Sequence, residues 1–130
     1  MGAEFTFYDY LEAEGNIIYP WLKAQPSTVR AKLNKWLLHL EGTGPGQWKR
    51  PLVDTLTGHC PGLFEVRAGE SHMQYRILGC RGPGERSPTL LHGFVKADKK
   101  VSEGDCDIAL ARKEVLYRDP DNHREIHRYD

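Results

Sequence analysis

Three short apolar runs occupy the middle of the chain, Leu63–Arg67, Met73–Cys80 and Thr89–Val95, and each has a basic residue at or near its end: Arg67, Arg76 and Lys96. Their length and their β-branched and aromatic content predict strands, and the short polar connections Ala68–Ser71 and Arg81–Pro88 favour an antiparallel meander. Upstream, the aromatic stretch Phe5–Tyr8 predicts a first strand. Ile17, Ile18, Trp21 and Leu22 have helical spacing, but Pro20 is comfortable only in a first turn, so that helix is short or kinked. Val29, Leu33, Trp36, Leu37 and Leu40 then outline an amphipathic helix that starts at Pro26 or Ser27 and stops at Gly42. The Gly- and Pro-rich segment from Gly42 to Gly62 reads as a long irregular connection, a kind of loop that often carries function. Glu103–Arg118 predicts a last helix through Ile108, Ala109, Ala111, Arg112 and Val115, and the polar stretch 119–130 has few apolar anchors and is expected to fray. The order strand, two helices, three strands, helix predicts one α+β domain over residues 1–118, with its helices against one face of a single sheet.

The cations alter this picture. Side chains alternate faces along a strand, so Glu65 and Arg67 share a face opposite Phe64 and Val66. Buried cations are costly unless paired, so cations repeated at strand ends suggest an open concavity that receives an anion, with the phosphate of nucleic acid as the candidate. The chain's formal net charge of zero removes any global argument for nucleic-acid binding. Residues 49–118 hold 12 Lys or Arg against 9 Asp or Glu, while residues 1–48 hold 4 against 5, so an electrostatic footprint must be local.

With 130 residues, 39% hydrophobic and 28% charged, the chain suits one globular domain that needs no disulfide or metal to hold its core. No apolar run is long enough to cross a membrane, and the start lacks the basic and apolar regions of a secretory leader, so a cytoplasmic protein is expected. Met1-Gly2 with Thr6 matches a myristoylation signal only weakly and reads as chance. Cys60, Cys80 and Cys106 are odd in number, far apart and without CxxC spacing, which predicts reduced cysteines and neither a zinc site nor a disulfide framework. No phosphate-loop, HExxH or paired-carboxylate pattern is present, and no cofactor or metal is expected.

The runs GLFEVR, QYRIL and LLHGFVK, followed by further lysines and a terminal helix and preceded by WLKAQP and an amphipathic helix, resemble the phage-derived Gp49-like, or HigB-type, branch of the RelE/ParE toxin superfamily. The resemblance spans Phe5 to Arg118 and rests on the order and spacing of short motifs. It implies a RelE-like fold and the toxin of a type II toxin–antitoxin module: a metal-independent endoribonuclease that cuts messenger RNA on the ribosome, with a helix-turn-helix antitoxin as partner. ParE-like members of the same fold inhibit DNA gyrase instead, and a non-catalytic phage protein that only binds an antitoxin-like partner is a third reading. Under the nuclease reading Arg67 and Arg76 hold the scissile phosphate, Lys96 stabilises charge or transfers a proton, and Lys99 and Lys100 meet flanking phosphates. His92 and His59 are acid–base candidates, as is Asp54, and Lys49 and Arg50 place a basic pair in the long connection. Tyr75 and Phe94 are candidates to stack on bases, although both also suit a core. Arg67 could equally pair with Glu65 at an ordinary strand. The chain departs from the family in reading Lys96-Ala97-Asp98 where many relatives carry paired lysines, and an Asp there weakens a phosphate path.

Overall fold

The computed structural model describes residues 5–43, 54–55, 60–97 and 102–130. Its elements are β1 (Tyr8–Glu12), β2 (Gly15–Asn16), α1 (Ile18–Lys23), α2 (Ser27–Glu41), β3 (Asp54–Thr55), β4 (Phe64–Glu70), β5 (Met73–Cys80), β6 (Thr89–Lys96), α3 (Glu103–Arg118) and β7 (Arg124–Ile126). They form an α+β fold around a mixed sheet of order β2-β1-β6-β5-β4-β3, with β7 also paired to β1. The meander runs antiparallel from β4 to β6, and only the β1–β6 pair, Tyr8 opposite Thr89, is parallel. The first strand begins three residues later than the aromatic stretch implied, because Phe5 and Phe7 turn into the core ahead of it.

Helices cover both faces of the sheet rather than one. On one side α1 and α2 bury Ile18, Leu22, Val29, Leu33 and Leu37 against Phe64, Val66 and Ile77. On the other, α3 sets Cys106, Ala109 and Leu116 against Leu78, Leu91 and Phe94. Two apolar faces arise because β4–β6 supply alternating residues to both, so the sheet has no solvent-facing side over its centre. A bulge helps: Leu78 pairs with His92 and Gly79 with Leu90, leaving Leu91 as an extra residue that shifts the parity of β6. Leu90 thus joins the α1–α2 core and Leu91 the α3 core. Packing on the first side is close at Gly93, where a Cβ would lie 2.4 Å from the Trp21 ring.

Two expectations are corrected. The polar stretch after Asp119 is ordered: a 3-10 turn at Pro120–Asn122 leads into β7, which pairs with β1 through Asp9 opposite Glu125. Polar contacts take the place of apolar anchors. His127 is buried, with Nδ1 2.7 Å from Asp9 and Nε2 2.9 Å from Asn34, and the Tyr129 hydroxyl donates to Glu41 at 2.8 Å. Second, Cys60 and Cys106 are joined as a disulfide, their Cα atoms 5.4 Å apart. Packing α3 onto the sheet brings them together across 46 residues of sequence, a proximity that spacing alone does not reveal. Cys80 is free and buried, and burial pushes its thiol pKa up.

Candidate functional site

The cations at the strand ends divide into two groups. Arg76 lies mid-strand, opposite Arg67 on β4 and Phe94 on β6, and is 0% exposed. Its Nη1 lies 3.5 Å from Glu65, which is itself 2% exposed. Arg67 Nη1 meets the other Glu65 oxygen at 3.5 Å with 35% of its side chain exposed. Arg76, expected to face a bound phosphate, is instead buried beside Glu65, and a guanidinium held there is stabilised by pairing with a carboxylate. Arg67 combines its Glu65 pairing with a side chain that still reaches solvent.

The second group lies where β6 meets the first turn of α3. Ser102 caps that helix by accepting from the Asp105 backbone N–H at 3.1 Å, and its hydroxyl donates to the Asp105 carboxylate. The cap fixes Asp105, whose Oδ1 lies 2.7 Å from His92 Nε2 and whose Oδ2 lies 3.7 Å from Lys96 Nζ. His92 and Lys96 are four residues apart on β6, beyond the bulge, and so share the α3 face. Burial pulls the Asp105 carboxyl up, but hydrogen bonds from Ser102 and His92 and the charges of His92 and Lys96 outweigh it and hold the carboxyl below its ordinary value. Asp105 is thus an ionised acceptor at neutral pH. On the other side of the imidazole, Arg112 Nη1 lies 3.4 Å from His92 Nδ1 while donating to the Leu91 carbonyl at 2.8 Å. Arginine can only donate, so the neutral imidazole that satisfies both neighbours carries its proton on Nε2. Arg112 is held in turn by Glu12 at 3.1 Å.

This geometry assigns unequal parts. His92 is gripped on both nitrogens and stacked on Phe94, ring centroids 5.5 Å apart, so Phe94 supports the imidazole and is itself buried. Tyr75 packs against the α1–α2 core. Lys96, 29% exposed, has three donor hydrogens and one carboxylate partner, which leaves donors for an outside anion. His59, Lys49, Arg50, Lys99 and Lys100 lie outside the described residues, and Asp54 is described only as a backbone position in β3, opposite Glu65.

Asp105, Ser102 and Arg112 were not singled out from sequence as site residues. A signal for two of them exists, because Ser102 followed three residues later by Asp105 has the spacing of a helix cap. Arg112 follows Asp105 by seven residues, two turns along one helix face.

A mixed sheet with two helices on one face and one on the other, bearing a Lys–Asp–His cluster at the sheet–helix junction, defines a small α+β domain with an anion-competent corner. A family model described as phage derived protein Gp49-like (DUF891) matches residues 20–114, well over half of the chain. The chain belongs to this Gp49-like family, a branch of the RelE/ParE-like toxins, and is thereby a toxin–antitoxin-related protein. A search of curated proteins finds no match. Among the described residues no helix is long and apolar enough to cross a membrane.

Proposed function

We propose that this protein is the toxin of a type II toxin–antitoxin module and cleaves messenger RNA on the ribosome without a metal, with a helix-turn-helix antitoxin as its natural inhibitor. The observation that carries the reading is the partly exposed Lys96 ammonium, oriented by an ionised Asp105 in a protein of the Gp49-like family. Cleavage of this kind has the 2′-hydroxyl give its proton to solvent water as its oxygen attacks the adjacent phosphorus, breaking the P–O5′ bond to leave a 2′,3′-cyclic phosphate and, once O5′ takes up a proton, a 5′-hydroxyl. Lys96 is suited to donate to a non-bridging oxygen as charge develops, or to the departing O5′. Asp105 accepts rather than donates, so it acts as a positioning residue for Lys96 and His92. Arg67 is suited to hold a neighbouring phosphate, its Glu65 partner keeping the guanidinium in place.

Expression of the full chain in a translating host tests the reading: arrest of growth with truncated messages supports it, and growth at the normal rate with intact messages contradicts it. One observation favours a second reading, that of a protein that binds an antitoxin-like partner without cutting RNA. His92 is committed on both ring nitrogens and Arg76 is buried, which leaves Lys96 and Arg67 as the accessible cations of the meander strands among the described residues. That reading predicts partner binding with no cleavage product at all.

A further inference from the structure

The two faces of the sheet treat their cations differently. On the α3 side Arg67, Arg76, Lys96, Arg112 and Arg118 each meet a carboxylate, and Lys113 meets the Gly62 carbonyl and the Tyr117 ring. The α1–α2 side is unlike it. Residues 17–40 contain Lys23, Arg30, Lys32 and Lys35 and not one Asp or Glu, in a chain whose formal charge sums to zero. Lys23, Lys32 and Lys35 are exposed and Arg30 is half-buried. The tail adds a fifth cation: the Arg128 guanidinium lies 4.0 Å from the centre of the Tyr19 ring, and Lys23 Nζ lies 5.3 Å from the same centre. Among the described residues none of these five forms an ion pair with a carboxylate. The polar contacts made by Arg30 and Lys32 are to backbone carbonyls, those of Lys23 at 3.3 Å and Gly69 at 3.1 Å. Two carboxylates border the face: Glu70 accepts from the Thr28 hydroxyl, and Asp130 lies in a groove with Arg30 and Lys35.

Four cations on the helical hairpin and Arg128 from the tail, without carboxylate partners among the described residues, give this side a stronger positive potential than the α3 side, where most cations are paired. We infer that the outer face of α1 and α2, extended by Arg128, is a docking surface for the phosphate backbone of RNA, separate from the Lys96 corner on the opposite side of the sheet. The choice of RNA rests on the function proposed above; the charge complementarity rests on the hairpin alone. Lys23 and Arg30 touch across the helix junction, and Lys32 and Lys35 continue along α2 at 1.5 Å per residue, so the charges form a track rather than a pocket. A track of single charges suits a polymer of regularly spaced phosphates.

The test is binding of the full chain to a labelled single-stranded 2′-O-methyl RNA, followed by fluorescence anisotropy over a range of salt. That probe lacks the 2′-hydroxyl needed for cleavage, so binding is read independently of nuclease activity. Each phosphate contact contributes about −0.7 to the slope of log K against log salt for a single strand, so five contacts give a slope near −3.5. The triple substitution Lys23→Ala, Lys32→Ala, Lys35→Ala, folded by circular dichroism, is expected to bring it to about −1.4, while Arg118→Ala, at an exposed α3 cation paired with Glu114, leaves it near −3.5. A triple variant with the parental slope overturns the inference, as does displacement of the RNA by polyglutamate at equal charge concentration, which would assign the face to an acidic protein. A parent that binds with a slope near −3.5 yet leaves an unmodified message intact on the ribosome would overturn the nuclease reading alone.

Discussion

Replacing Arg76 separates a structural role from a catalytic one. Its guanidinium is 0% exposed and lies 3.5 Å from Glu65, which is 2% exposed, so Arg76→Met leaves a buried carboxylate without that cation. Breaking a buried pair from one side costs about 3–5 kcal/mol, because the remaining charge is still desolvated. For a domain of this size, 1 kcal/mol moves the melting temperature by about 4 °C, so a fall of about 12–20 °C is expected. Replacing both partners, Arg76→Met with Glu65→Leu, removes the buried carboxylate as well and should recover most of the loss, since buried pairs exchanged for hydrophobes of similar size are often neutral. Arg67 then loses a partner but keeps its access to water. The assay is thermal and urea denaturation of the three proteins, with the urea slope checked for constancy. An Arg76→Met protein that melts within 2 or 3 °C of the parent, on the order of half a kcal/mol or less, would refute the buried-pair account. If it also failed to cut RNA, Arg76 would return as a phosphate ligand.

Other expectations follow from single contacts. Gly93→Ala places a methyl group 2.4 Å from the Trp21 ring and should cost about 1–3 kcal/mol in urea denaturation, whereas Gly15→Ala has no atom within 4 Å and is strained only by its positive φ of 117°. Closing a loop of 46 residues, the Cys60–Cys106 disulfide should contribute about 4 kcal/mol on the chain-entropy account, so Cys106→Ser should melt well below the oxidised parent and no differently with or without reductant. Because the folded-state pKa of Asp105 is depressed, its contribution to stability is present above the ordinary carboxyl value of 3.8 and is lost as pH falls through the lower folded value. Asp105→Asn should therefore flatten the acid limb of a stability–pH curve below about pH 4.

The periodicity of the chain carried much of the fold: the α2 stripe of Val29, Leu33, Leu37 and Leu40 and the three meander strands lie where spacing places them. What it could not convey were effects of pairing between distant segments. The parallel β1–β6 junction, the Cys60–Cys106 proximity and the docking of His127 onto Asp9 and Asn34 each depend on residues far apart in sequence. The tail illustrates why: its anchors are polar, and a hydrophobicity pattern does not register a buried histidine that has two partners. At the site, strand parity grouped Glu65 with Arg67, and His92 and Lys96, four residues apart on one strand, meet the same carboxylate. It could not tell that Arg76 would be buried beside Glu65, because burial of a sheet face is decided by segments distant in sequence, such as α3, which begins seven residues after β6 ends. Asp105, the residue that joins His92 to Lys96, comes from that helix and so was invisible to any reading of the strands alone.

The central claim, that Lys96 oriented by Asp105 cleaves RNA, is tested most directly by primer extension on a message translated in a reconstituted system. The parent should leave discrete 5′ ends, Lys96→Ala should reduce their rate of appearance by about 10²–10³ and Asp105→Asn by less, with ribosome binding preserved in both. Cleavage by Lys96→Ala at the parental rate, in a protein that melts normally, would contradict it.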